Sequence, residues 1–306
     1  MANAPQYIDQ ALSNVANAYI NPTTSFIADA LVPTVSVNKR TFLIPEIGYD
    51  LTIDSNTLRT GESEAKRVSS NRSYADGKPL LEHALKDFVT QDDKDQSDDP
   101  FEPMSLAVEN IMQKFTLAQE ADVATTLTDP SVVTNSRTLS GGSKWTSPTA
   151  TPINDVLERL NTRTFVPFNT IAMSSAAYAA FATHPTVLET YKYAIGGTVT
   201  KEQVLDLFRP FGVEKILISD ARRNTANQGQ APSYQLVWGA DVVFSYVTSN
   251  PALKEINGAY KFQLKNGRFA TQEDKKDPLG TEVVVHDYYR HQILMREAFA
   301  NLKAVI

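Results

Sequence analysis

The 306-residue sequence has no cysteine, so neither a disulfide nor a thiolate metal site can hold it together. Stability has to come from packing or from other chains, and the absence suits assembly in a reducing cytoplasm. No apolar run is long enough to span a bilayer, so no membrane contact is expected. The opening MANAPQYIDQALSN lacks the basic and apolar regions of a secretory signal. Basic charge is in deficit: 29 lysines and arginines face 35 acids, a net charge of −6. A general binder of the phosphate backbone needs a basic face, so that class is disfavoured, while a local basic patch stays open. No internal repeat of about 20–50 residues is present.

Histidine is scarce, with four in the chain. His286 and His291 lie in a segment that reads as extended, an odd number of residues apart, so they face opposite sides of a strand. No HExxH occurs. The acidic run from Asp93 imitates the start of a calcium loop, with Asp95 and Ser97 following. Asp98 then stands where the loop needs glycine, and Met104 where it needs a bidentate glutamate. Neither SGGSKW nor AIGGTVTK matches a phosphate loop, and the GxSxG elbow and GxGxxG turn are missing. No local pattern calls for a metal, a cofactor or a catalytic residue. A soluble α/β enzyme stays open only through a site converging from distant segments.

What the chain does have is one long helical stretch, Asp99 to Asp129. Met104, Val108, Ile111, Phe115 and Ala118 fall at steps of three and four, the spacing of one helix face. No glycine interrupts the run. Asp99 can cap it with Pro100 in the first turn and Glu102 behind; Pro103 fits the first turn or moves the start by a few residues. Pro130 marks the far end. The spacing predicts a helix over about 101–128, roughly 40 Å long at 1.5 Å per residue. That exceeds what a small domain needs, so larger parts are expected along it.

The other segments arrange themselves around this helix. Met1 to Thr24 is a polar arm with a weak amphipathic pattern at Ile8, Leu12, Val15 and Tyr19, expected to order on neighbouring chains. A strand is expected from Thr34 to Ile44. Glu46 to Lys78 is a charged excursion with Arg59, Lys66, Arg67 and Arg72, too poor in apolar residues to fold alone. Pro79 to Thr90 reads equally as helix or strand, and the acidic link QDDKDQSDD follows, carrying Asp92, Asp93, Asp95, Asp98 and Asp99. Beyond the long helix, 151–250 alternates helices and buried strands, a mixed α/β region. Helices are expected after Thr151, Ser174 and Thr200, and strands at Asn169–Met173, Val213–Ser219 and Tyr234–Val247. AYKFQL and RFATQ read as strands joined at Asn266-Gly267, a hairpin signal. The chain closes in one or two long strands.

In this order the parts resemble the major capsid protein of tailed bacteriophages, the HK97 fold. The stretches that carry the resemblance are SFIADALVPTVSVNKRTFLIP, PFEPMSLAVENIMQKFTLAQEADVATTL and YRHQILMREAFANLKAV, and it spans essentially the whole chain. It implies an α+β fold with an N-arm (1–30), an E-loop (46–78), a spine-helix P-domain (31–45, 79–150 and 251–297) and a mixed α/β A-domain (151–250 and 298–306). It implies a structural protein, not an enzyme. The subunit would assemble with itself into the hexamers and pentamers of an icosahedral virion shell in the bacterial cytoplasm. That shell would enclose double-stranded DNA without sequence-specific binding. The short arm after Met1 leaves no room for a fused scaffolding segment. A separate scaffolding protein and a portal are therefore implied, with a place for a decoration protein. In the family the E-loop crosses a neighbour's P-domain. Arg59, Lys66, Arg67 and Arg72 are thus candidates to meet Asp92, Asp93, Asp95, Asp98 and Asp99 of the next subunit. Some members cross-link a lysine to an asparagine. Lys66 matches only the position of that lysine, and the chemistry is not carried over. An encapsulin-like compartment of the same fold, holding protein cargo, is the alternative.

Overall fold

In the computed structural model, which describes residues 7–19, 26–45, 57–58, 74–97, 102–164, 166–191, 199–227, 229–252, 255 and 257–306, the long helix runs from Pro103 to Thr128. Glu102 takes the cap position and Pro103 the first turn, so the start lies beyond Asp99. The buried stripe is Ala107, Val108, Ile111, Met112, Phe115, Gln119, Glu120, Val123, Ala124 and Leu127. Ala118, expected on this face, is exposed. The stripe continues instead through two polar residues, which an apolar search passes over.

The first sheet is built on the 15-residue strand Leu279–Ile293. Along one edge lies Leu81–Thr90, antiparallel from Gly280 to Tyr289, which settles the ambiguous stretch as strand. The other edge carries Phe269–Lys276 and then Ala259–Leu264. Here the expected hairpin at Asn266-Gly267 is corrected. Gln263 faces Tyr289 and Phe269 faces His286, so the turn at Asn266-Gly267 bulges from a single continuous edge. The two strands it joins do not pair with each other. The reversal that makes the hairpin is at Asp277-Pro278, between Lys276 and Leu279. Thr34–Val37 adds in parallel to Lys261–Leu264.

The strand expected to reach Ile44 breaks. The polar, exposed Asn38–Thr41 turn cannot be buried, and Leu43–Pro45 pairs with Tyr74–Asp76 in a separate ribbon at the base of the charged excursion.

The arm is also corrected. Its described part, residues 7–19, packs on its own chain. Tyr7–Asp9 pairs with Ala270–Gln272. Asp9 caps the helix Gln10–Ala18 by accepting from the Leu12 amide at 2.9 Å. Leu12 and Ala16 are buried with Val108, Ile111, Met112 and Phe115 of the long helix and with Ala270, Val283 and Val285 of the sheet. Ser13 Oγ accepts from the Ala270 amide at 2.9 Å. Val15 and Tyr19 pack partly against the same cluster, and backbone pairing and this serine fix the position of these few apolar side chains.

The second sheet has the order Ser136–Thr138, Phe299–Lys303, Val242–Ser245, Thr170–Ser174, Lys215–Ser219. Its central strands are buried on both faces. Ile171, Met173, Val242, Phe244, Ala300 and Leu302 face a core formed with the helices Pro152–Asn161, Ser175–Ala182 and Lys201–Phe208. The alternate residues Ala172, Val243 and Phe299 face Val123, Ala124 and Leu127 of the long helix. The helix starts follow the expected chemistry: Thr151 with Pro152 at the first turn, Ser174 accepting from the Ala177 amide, and a capping box at Thr200. The long helix thus runs from one sheet to the other.

Candidate functional site

Midway along the long helix, the apolar stripe gives way to Gln119 and Glu120. The Glu120 carboxylate is almost fully buried. It accepts from the amides of Ile27, at 3.0 Å, and Ala28, at 2.7 Å. It also accepts from Trp238 Nε1 at 2.5 Å and Ser219 Oγ at 3.4 Å, both beside the second sheet. Burial pushes the Glu120 carboxyl above its ordinary value, while these hydrogen bonds pull it back down. Gln119 turns to the first sheet, where Lys261 Nζ donates to its Oε1 at 2.8 Å. Lys261, itself buried, also reaches Asp29 at 3.4 Å and lies over the Tyr289 ring. Burial raises the Tyr289 phenol beyond its ordinary range.

Around this joint the histidines have structural partners. His291 Nδ1 and Asp122 Oδ2 are 2.6 Å apart, tying the long strand to the long helix and holding the Asp122 carboxyl below its usual range. His83 stacks on Tyr289 at 4.1 Å and is pushed down by burial. His286 bonds Glu82 at 3.0 Å across the sheet, and His184 bonds Ser147 O at 2.9 Å. His286 and His291 lie on opposite faces, as their spacing required. Among the described residues no group of histidines and acids could hold a metal ion.

The bulge after Leu264 is locked by Asp287, which accepts from Arg268 Nε at 2.9 Å and Nη2 at 2.7 Å, and from Gln263 Nε2 at 2.8 Å. Beside it, a cleft of about 570 Å³ opens between the arm helix and the bulge, lined in part by Gln10, Asn17, Ser36 and Lys265.

The charged residues chosen from sequence are only partly placed. Asp92, Asp93 and Asp95 sit in a six-residue helix, Gln91–Gln96, where an open link was expected. Thr90 caps it by accepting from the Asp93 amide at 3.1 Å, and Gln91 bonds Asp95 at 2.9 Å. All three aspartates are exposed. Arg59, Lys66, Arg67, Arg72, Asp98 and Asp99 lie outside the described residues, as does most of the expected loop 46–78. The expected contact between the two sets therefore lies outside the described residues. The residues that sequence reading passed over are Gln119, Glu120, Lys261 and Asp287. Their signal was a polar side chain at a position where the helix or strand period called for an apolar one.

No family model matches the sequence. The major capsid protein of Pseudomonas phage JBD67 is 28% identical over 258 residues, covering 80% of this chain and 79% of that protein. The major capsid protein of Burkholderia phage BcepMu is 27% identical over 245 residues, covering 78% and 76%. This chain is a homologue of the phage major capsid proteins. Such a protein is a structural component, not an enzyme. The solved structures carry the fold. A phage-related protein of Bordetella bronchiseptica superposes on this capsid homologue with a TM-score of 0.76 at 21% identity, covering 99% of both chains. The capsid of cyanophage P-SCSP1u gives 0.60 at 10% identity over 94% of this chain and 90% of that one. The SrpI encapsulin of Synechococcus elongatus gives 0.56 at 13% identity over 97% and 95%. The capsid homologue therefore has the HK97-type fold expected from the order of its parts.

Proposed function

We propose that this protein is the shell subunit of a tailed-phage head, assembling with itself into the hexamers and pentamers of an icosahedral capsid around double-stranded DNA. The observation that supports this most is the match over four-fifths of the chain to proteins named major capsid protein. On this reading 1–30 is the N-arm and 46–78 the E-loop. The first sheet with the long helix forms the P-domain, and 151–250 with 298–306 forms the A-domain. Assembly takes place in the host cytoplasm with a separate scaffolding protein and a portal. The basic residues Arg59, Lys66, Arg67 and Arg72 of one subunit meet the acidic run 92–99 of the next. A net charge of −6 suits enclosing DNA without gripping it.

Electron microscopy of particles from the native source tests the reading. Shells with DNase-protected DNA are the expected result. The likeness to an encapsulin supports a second reading, a compartment filled with protein cargo, which shells containing an enzyme and no protected DNA would favour. A small discrete oligomer with no shell would overturn both.

A further inference from the structure

We propose that the adjacent pair Gln119 and Glu120 is the joint that sets the angle between the two sheets and the root of the arm, and that Glu120 thereby determines the geometry of the assembled shell. The inference rests on the shell-subunit reading. Four parts of the chain meet here. Gln119 grips the first sheet through Lys261, and Glu120 grips the second through Trp238. The arm root is held by both, Ile27 and Ala28 by Glu120 and Asp29 by Lys261.

The flanking side-chain packing is largely of another kind. Toward its start the long helix packs Val108, Ile111, Met112 and Phe115, and toward its end Val123, Ala124 and Leu127. Apolar contact is non-directional and tolerates a change of tilt. A hydrogen bond is not, because it weakens steeply as its angle closes. Directional bonds also hold the helix end to the second sheet, where Asn301 donates to Leu127 O at 2.6 Å and Lys303 to Thr128 O at 2.8 Å. It is the pair Gln119 and Glu120, however, whose hydrogen bonds reach the first sheet, the segment beside the second sheet and the arm root together. Every group converging on Glu120 is a neutral donor: two backbone amides, an indole and a hydroxyl. Only an ionised carboxylate can accept from all of them, and glutamine can serve at most those on its oxygen. Lys261 bonds Gln119 and Asp29, and among the described residues no cation pairs with the Glu120 carboxylate. A buried polar site that is fully satisfied selects one arrangement among several of similar apolar burial.

Glu120→Gln tests this in the full-length chain. In unassembled wild-type subunits the amides of Ile27 and Ala28 should be protected from hydrogen exchange. In Glu120→Gln they should exchange about tenfold faster, the change expected for one lost charge-assisted bond. Under conditions where the wild type forms uniform shells, the variant should give shells of mixed size or open sheets. Faster exchange with unchanged shells overturns the proposal, and so do altered shells with unchanged exchange. Should Glu120→Gln fail to fold, Trp238→Phe removes one donor and keeps an aromatic ring in place. It must then widen the shell-size distribution, and uniform shells from it overturn the proposal. Wild-type protein that forms no shells at all would instead overturn the shell reading itself, a separately visible outcome.

Discussion

The two sheets of this capsid homologue are finished to different degrees. The second is closed: helices cover one face and the long helix the other, and strands such as Thr170–Ser174 and Val242–Ser245 are buried throughout. The first sheet is closed on the helix side, where Val283 and Val285 are buried. On the other face Glu82, Lys86, Glu282 and His286 meet as pairs in partial contact with solvent. Its outer strand, Leu81–Thr90, has exposed Leu81 and Leu85 and no further strand beside it among the described residues. A sheet covered on both faces is a self-sufficient core, whereas an open edge and face invite a partner. The stability of the subunit is therefore expected to reside in the second sheet, and its contacts with other chains around the first.

Five measurements can break or sharpen this contrast. The largest effect should come from Phe181→Ala, since Phe181 sits in the closed core between Trp145 and Phe208. It should cost about 3–5 kcal/mol in denaturant unfolding of free subunits. A loss under 1 kcal/mol would show that the second sheet is not the stable half. Asp287→Ala should cost about 3 kcal/mol, because Arg268 is left without its carboxylate. Hydrogen exchange should rise at Leu264–Phe269 and not in the second sheet. Leu12→Ala should cost about 2–3 kcal/mol of local stability. Limited proteolysis should then release the arm, while the rest of the chain stays intact.

A smaller effect is expected from pH. Burial raises the Glu120 carboxyl in the folded protein above its unfolded value. The folded state therefore binds this proton more tightly. The group's contribution to stability is greatest below the ordinary carboxylate range and falls as pH rises through the folded value. Glu120→Gln should remove that downward slope, read as the wild-type minus variant unfolding free energy across the mildly acidic range. Asp122, held down by His291, works with the opposite sign: its contribution is present at neutral pH and fades as pH falls through its lowered value. The smallest effect tests the proposed contact at the open sheet. Arg67→Glu should slow assembly at low salt by weakening exposed pairs worth about 0–1 kcal/mol each, and Asp95→Lys should partly restore it. Assembly with unchanged rate and unchanged salt dependence would mark these charges as solvated surface.

Much of the architecture was legible because it is local chemistry. Proline at the first turn, Ser174 and Thr200 as caps, the period of the long helix and the buried runs at Asn169–Met173 and Val213–Ser219 need no distant partner to be read. The misreadings have one cause. The strand through Asn38–Thr41, the hairpin at Asn266-Gly267 and the exposed Ala118 were each judged from neighbours in sequence, when distant segments decided them. The arm is the clearest case. Its sparse apolar residues argued for a foreign surface, yet the edge at Ala270–Gln272 and the groove beside Phe115 lie within the same chain.

The sequence by itself determined the long helix, most of the capped helices and buried strands, that no disulfide holds them, and an order of parts that resembles the HK97 fold. It could do so because periodicity, capping and composition act over a few residues. Only the tertiary structure decided that Gln119 and Glu120 replace apolar residues at the middle of the long helix. The donors that make a buried carboxylate tolerable come from Ile27, Ala28, Ser219 and Trp238, about a hundred residues away on either side. No local pattern can report a charge whose compensation is that distant.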